Sequence, residues 1–283
     1  MPLRLGTHDG PFHADDVLAA ALVRVFWDPD AKVVRSRDRE VLASCDVVFD
    51  VGHELDAARL RFDHHQREYE GSRSSAGLVL DHLEAEQHVR PVIAARLREE
   101  LVDYVDAVDN GARMSDDGVP CFSTVIGVLN ESANEAFDTQ YERAMTFAER
   151  VVRGFVASVE RAEAAERAVR DAMEAADKAE SRVLRFDRYL KWKPAYFALG
   201  GENHPSHLVV FPTERDVRVL TIPVSEGSRE DKVKLPESWG GLENDHLAAV
   251  AGTGARFCHK NRFIAAFDTV ENALAALERE GLA

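Results

Sequence analysis

Asp46-Val47-Val48-Phe49-Asp50-Val51 decides the fold. A strand with one wet face alternates polar and apolar residues, and this run does not. It is apolar between two aspartates, as suits a central parallel strand covered on both faces. Leu3-Arg4-Leu5-Gly6-Thr7 and Lys32-Val33-Val34-Arg35-Ser36 read as two further strands. Helical patterns lie between and after them. Asp15 to Phe26 sets Leu18, Ala21, Leu22 and Val25 on one face, and Ser75–Leu83 and Pro91–Val105 come next. Strand and helix in alternation predict an α/β fold with a doubly wound parallel sheet.

From Phe137 to about Arg182 the pattern is wholly helical, with no Gly or Pro after Phe155. A helical linker is expected there, packed but without chemistry of its own. After Lys193-Pro194 strand character returns. Leu208–Phe211 and Val217–Ile222 read as one hairpin, Phe257–His259 and Arg262–Phe267 as another, and Val270–Glu280 as a last helix. The expected organisation is a catalytic domain over 1–135, the linker over 136–183, and a smaller C-terminal α/β domain over 184–283.

The 283 residues are 45% hydrophobic, enough for a large domain or a large and a small one. The formal charge of −15 argues against a broad basic face for duplex DNA. It leaves room for a small anion, or a short single strand held by metal ions and a few basic groups. No apolar stretch approaches the ~18 residues of a membrane span, and the N-terminus shows no signal-peptide pattern. Cys45, Cys121 and Cys258 are far apart and odd in number. A reducing compartment fits them, so the expectation is a cytoplasmic protein with no membrane partner.

Groups able to hold metals gather where strands and helices end. Thr7-His8-Asp9-Gly10-Pro11-Phe12-His13-Ala14-Asp15-Asp16 comes after the first strand, and Asp50 ends the third. Arg61-Phe62-Asp63-His64-His65-Gln66 and Asp103-Tyr104-Val105-Asp106-Ala107-Val108-Asp109 come later. Any one histidine or aspartate here reads first as a cap or surface group. Together they read as a metal site, because a carboxylate closing an apolar strand is costly unless paired or bound to a cation. Several carboxylates can hold two divalent ions, a pair that activates water and steadies the oxygens at phosphorus. Imidazoles beside them favour a transition ion, Mn²⁺ first, over Mg²⁺ alone.

At these residues the sequence resembles the DHH phosphoesterase superfamily, and within it the MYG-one family. The matches run from Gly6-Thr7-His8-Asp9-Gly10 and Phe12-His13-Ala14-Asp15-Asp16 through Asp46 to Gly52 and Arg61 to Arg67. Ser74 to Leu78, Val105 to Gly111, Leu235 to Trp239 and Phe257 to Lys260 complete them. The resemblance implies a DHH-type doubly wound domain, a smaller C-terminal domain and a substrate in the cleft between. It implies a metal-dependent phosphodiesterase, linked in this family to 3′-to-5′ exonuclease action on RNA. RNA, a short oligonucleotide or a nucleotide is then the partner, with a homodimer as an oligomeric option. A small phosphoanhydride hydrolase and a non-catalytic metal- or nucleotide-binding module are the alternatives. Carried over, the metal ligands are His8, His13, Asp15, Asp50 (between two divalent ions), His64 and Asp109, with Asp106 competing for the last place. His65 faces the phosphate. The common pattern has an aspartate where this chain has His13, and the spacing from His8 is one residue longer.

Within the Asp-His-His motif, Asp63 is expected to orient its neighbour His64 and leave His65 free for substrate, so Asp63 and His65 are the catalytic pair. Ser74, Ser75 and Gly77 open a helix whose free N–H groups suit a phosphate, or an ordinary cap. His259, Lys260 and Arg262, at a hairpin turn, are candidate phosphate contacts or a solvated turn. Trp192 and Trp239 read as core before base-stacking platforms.

Overall fold

The computed structural model describes residues 1–114, 119–131 and 134–283. The chain divides into two compact units, Met1–Val159 and Glu160–Ala283. The sheet of the first unit contains β1 (Arg4–Thr7), β2 (Lys32–Arg35), β3 (Val47–Phe49), β4 (Leu55–Asp56) and β5 (Arg61–Phe62), ordered β2-β1-β3-β5-β4. β1 pairs in parallel with β2 and β3, and β3 with β5; β4, at the edge, is antiparallel. The chain steps outward from β1 to β2, then returns to β3 on the other side of β1. Such a reversal is a topological switch point, where open α/β sheets bind ligands beyond their carboxyl ends. The apolar strand β3 is central, with Val47, Val48 and Phe49 all buried.

The helices of this unit begin with α1 (Ala14–Phe26), α2 (Arg39–Ala43) and α3 (Ser75–Ala85). α4 (Pro91–Leu97), α5 (Asp103–Asp109), α6 (Phe122–Val128) and α7 (Phe137–Lys178) come after them. α1 is not one-sided as expected: every residue from Ala14 to Val23 is buried. It packs against α3, α5 and α6 and shares a core with Tyr141, Ala144 and Met145 of α7. The run Ala19-Ala20-Ala21 leaves room for covers on all sides. On the other face of the sheet, Leu42 of α2 packs with Cys45 and Val48. Gly6 permits that layer, since a Cβ there would lie 3.1–3.2 Å from Leu42, Cys45 and Val48. The helix expected over Pro91–Val105 carries a π turn at Arg98–Val102 and continues to Asp109. A π turn rotates the helix beyond it, so the faces of Asp106 and Asp109 were not readable from a 3.6-residue period.

The second unit has β6 (Val183–Arg185), β7 (Leu208–Pro212), β8 (Val217–Thr221), β9 (Ala255–Cys258) and β10 (Ile264–Phe267), ordered β6-β7-β8-β10-β9. Both expected hairpins are present. β6 precedes the point at which strand character was expected, and pairs in parallel with β7. The helices are α8 (Trp192–Ala198), α9 (Asn244–Ala251) and α10 (Val270–Arg279). Trp192 and Trp239 are core, 2% and 0% exposed, so neither offers a ring for stacking. The segment 136–183 contains α7, whose residues are shared. Met145 and Ala148 belong to the first core, and Val169, Ala172 and Ala176 pack with Trp192 and Tyr196 in the second unit. Among the described residues no helix is long and apolar enough to cross a membrane.

Candidate metal centre

His8 leaves β1, Asp50 leaves β3 and Asp63-His64-His65 leave β5, all at carboxyl ends beside the switch point. Asp50 has φ +57°, a left-handed conformation that costs a residue with a Cβ about 1–2 kcal/mol and that aspartate tolerates better than most. Its Oδ2 lies 3.2 Å from His8 Nε2, and its Oδ1 lies 3.5 Å from His65 Nδ1 and 3.9 Å from His64 Nδ1. Asp50 therefore reaches both the first motif and the third.

The turn between His8 and His13 is gripped from two sides. Asn130 brackets Phe12: its Oδ1 accepts from Phe12 N at 3.1 Å and its Nδ2 donates to Phe12 O at 2.6 Å. The Arg35 guanidinium donates to Gly10 O (2.6 Å), pairs with Asp138 (3.0 Å) and lies 4.7 Å from the Tyr141 ring centre. Beyond the turn, α1 opens on two buried acids. Asp16 Oδ1 accepts from His13 N (2.9 Å) and Val17 N (2.8 Å), capping the helix, whose dipole favours the charge. Asp15 is aimed elsewhere: its ligand oxygen and those of His13 and Asp109 lie within 4.8 Å of one another.

Among the described residues, four buried carboxylate oxygens have no hydrogen-bond partner: both of Asp15, Oδ2 of Asp16 and Oδ1 of Asp50. Burial, then the Asp50 and Asp109 charges, push the Asp15 carboxyl well above the usual range. Burial and the Asp50 charge raise Asp16 to about 7, although His8 and the His13 N–H oppose them. Burial works against charge on His8 and His64, but hydrogen bonds to Asp50 and to Asp109 outweigh it and raise both. A fold does not bury unpartnered anions without a compensating cation. The ligand atoms of His8, His13 and Asp50 also lie within 4.8 Å of one another, as do those of Asp15, Asp16 and Asp50. Carboxylates mixed with imidazoles are a donor set for divalent transition ions. These residues fit a metal centre.

Asp63 does not orient His64. Its Oδ1 accepts from the His65 backbone N–H (3.0 Å) and from His65 Nδ1 (2.8 Å). An aspartate folding onto its own backbone meets the residue two places on, not the next one. Asp63 Oδ2 accepts from His53 N at 2.6 Å. These donors overcome burial and hold the Asp63 carboxyl low. The His65 side chain is 52% exposed, and with Nδ1 engaged its Nε2 is the nitrogen left for substrate. His64 is held by Asp109 (Nε2 to Oδ2, 2.9 Å) and lies 3.3 Å from Ser75 Oγ.

The competition between Asp106 and Asp109 resolves by geometry. Asp106 Oδ1 accepts from Ser74 N (3.1 Å), Ser74 Oγ (2.7 Å) and Gly77 N (3.1 Å), and Arg73 lies 3.3 Å from its Oδ2. The donors expected to meet a phosphate thus hold this chain's own carboxylate. Ser74 and Ser75 are fully buried; Ser75 Oγ donates to Phe62 O at 3.0 Å. Ser74, Ser75 and Gly77 support the site rather than face substrate, and Asp109 joins the metal cluster. His259, Lys260 and Arg262 lie on the β9–β10 turn of the second unit, where Arg262 has φ +60° and donates to Leu235 O at 3.3 Å. The sequence placed Asp16 in the first cluster without a role of its own, and gave no sign of Arg35 and Asn130 as parts of the site. Asp16 had one legible signal, an acid three residues after a helix-opening position.

Comparison with known proteins places the chain in a family. The MYG1 exonuclease family model, described as Uncharacterised protein family (UPF0160), matches residues 4–280. The MYG1 protein of Chlamydia trachomatis is 39% identical, the match covering 98% of this chain and 96% of that one. The MYG1 exonuclease of Rattus norvegicus is 32% identical, covering 96% and 83%. RecJ of Thermus thermophilus, solved in complex with Mn²⁺, aligns over 98% of this chain at 15% identity and a TM-score of 0.28. This chain spans about half of RecJ, 51%, and nothing is carried over from it. The family match extends from β1 to α10, and the chain belongs to the MYG1 exonuclease family.

Proposed function

We propose that this chain is a metal-dependent phosphodiesterase that shortens RNA or short oligonucleotides from the 3′ end, using two divalent ions, Mn²⁺ foremost. One observation carries the reading: buried, unpartnered carboxylate oxygens of Asp15, Asp16 and Asp50 beside His8, His13, His64 and Asp109. His8, His13, Asp15, Asp50, His64 and Asp109 would hold the ions, which supply water activation and charge neutralisation at phosphorus. The exonuclease names of the mammalian relatives support the reaction class.

The chain's own residues divide the remaining work. Asp63 accepts the Nδ1 proton of His65, so Nε2 is the nitrogen presented to substrate. His65 would face a phosphoryl oxygen through Nε2 as charge develops there. His259, Lys260 and Arg262 are the proposed phosphate contacts of the second unit. The reading includes a cytoplasmic protein whose only partner needed for turnover is the substrate.

The test is turnover by the purified protein with Mn²⁺ on three substrates: 5′-labelled RNA, a cyclic dinucleotide and pyrophosphate. A descending ladder from the 3′ end of the RNA is expected. Cleavage of pyrophosphate alone would replace this reading with a small-phosphoanhydride hydrolase, a substrate class that the −15 charge favours. No product from any of the three would end it.

A further inference from the structure

The ligands around Asp50 are unequal in charge. On one side Asp50 gathers with two further carboxylates, Asp15 and Asp16, and lies 3.9 Å from His64. On the other it meets His8 and His13, two imidazoles. A divalent ion held there by a shared carboxylate and two neutral rings would keep uncompensated positive charge in a buried place. One nearby group answers this. Asp16 is fully buried, and its two oxygens do different things. Oδ1 caps α1 through the His13 and Val17 N–H groups. Oδ2 has no hydrogen-bond partner and lies 3.6 Å from His8 Nε2, the same nitrogen that lies 3.2 Å from Asp50. The ligand oxygens of Asp15, Asp16 and Asp50 gather within 4.8 Å.

Accepting the His13 N–H from the third helical position takes one oxygen, which a neutral amide also supplies; a second buried anionic oxygen is not needed for that. We propose that Asp16 is a further carboxylate of the metal centre, supplying through Oδ2 the negative charge that His13 cannot give to the ion held with His8. The proposal rests on the metal-dependent reading above. It also accounts for the side-chain Oδ1 bonds: by gripping the His13 N–H, Asp16 fixes the turn that brings His13 to the same ion.

The test compares wild type, Asp16→Asn and Asp16→Ser by two measurements on metal-free protein: calorimetric titration with MnCl₂, and thermal melting. Asn keeps an oxygen for the two N–H groups and Ser keeps a cap hydroxyl, while both remove the second anionic oxygen. The expected result is two sites in wild type, one of them weakened 10- to 100-fold or lost in both variants. The metal-free variants should also melt at or above the wild-type temperature, because a buried unpartnered charge is gone. A role as cap alone predicts the opposite pair, unchanged Mn²⁺ affinity with a lower metal-free melting temperature, and that pair overturns the proposal. So does an Asp16→Ser variant that binds both ions normally when Asp16→Asn fails to fold. Wild type that binds no Mn²⁺ overturns the metal-dependent reading and the proposal with it. Wild type with two sites and unaltered variants overturns the proposal alone.

Discussion

Replacing Gly77 with alanine separates two accounts of the α3 N-terminus. Gly77 stands in the first turn of α3, where alanine is the better helix former by about 1 kcal/mol. On propensity alone, Gly77→Ala should stabilise. A Cβ there would lie 2.6 Å from Arg73 Cδ and 2.9 Å from Asp106 Cγ, and closer still to Asp106 Oδ2. Asp106 is 2% exposed and has to move. Its Oδ1 holds three donors, Ser74 N, Ser74 Oγ and Gly77 N. Hydrogen bonds to a charged group contribute about 1.5–3 kcal/mol each. Losing two of the three costs about 3–6 kcal/mol, so after the propensity gain the variant should be roughly 2–5 kcal/mol less stable. Urea unfolding read at constant m-value measures this. Asp106→Ala should be destabilising alone yet cost much less in the Gly77→Ala background, a coupling that a double-mutant cycle reads. A Gly77→Ala protein with a midpoint at or above wild type would refute the argument. Unchanged stability with a raised KM would return Gly77 to the substrate.

Asp50→Asn should fold, since asparagine also tolerates φ +57°, yet lose metal in calorimetry and more than tenfold in rate; retention of over about a tenth of the activity denies Asp50 the bridging role. His65→Ala should keep its metal content and lose about 10²–10³ in rate, whereas His64→Ala should lose affinity for an ion and recover partly with excess Mn²⁺; the reverse pattern would exchange their roles. Metal-free protein should lose stability as pH rises from about 4 through neutrality. Asp16, raised from 3.8 to about 7, contributes stability that is full below 3.8 and gone above 7, on the order of 4 kcal/mol. His8 and His64, raised above 6.5, contribute stability that is full below 6.5 and lost above it, so the slopes agree in sign. The lowered Asp63 and Asp109 act below about pH 4, outside this window. Melting curves across the pH range decide it, and saturating Mn²⁺ should flatten or reverse the slope.

The sheet and the anionic centre were legible because each leaves a mark on the linear chain. Val47-Val48-Phe49 is apolar without alternation, His8 and Asp50 each come just after a legible strand, and His64 stands in an Asp-His-His run. β5 was not legible: two residues, Arg61-Phe62, carry no period. Its position nonetheless explains why Asp63-His64-His65 arrive at the site. Ser74 and Gly77 showed an anion-seeking helix end but not which anion, since Asp106 comes from about thirty residues on. Asp63 was matched with the wrong imidazole because adjacency in sequence is not adjacency across an aspartate turn. Asn130 was invisible, being one amide whose partner is backbone.

The grip of Asn130 on Phe12 also has a consequence in time. The two residues are 118 apart, and Asp138, the acid on Arg35, is later still. At roughly 5–20 residues per second of synthesis, the histidine turn leaves the ribosome about 6–24 s before its clamp exists. His64 and Asp109 are likewise late. For those seconds His8, His13, Asp15 and Asp16 form a loose, flexible chelator, open to whichever divalent ion the cell leaves free. On the metal-dependent reading, the ion taken up would then depend partly on translation rate and metal supply, and chain made on a slowed ribosome in zinc-rich medium should hold more zinc than chain refolded in Mn²⁺.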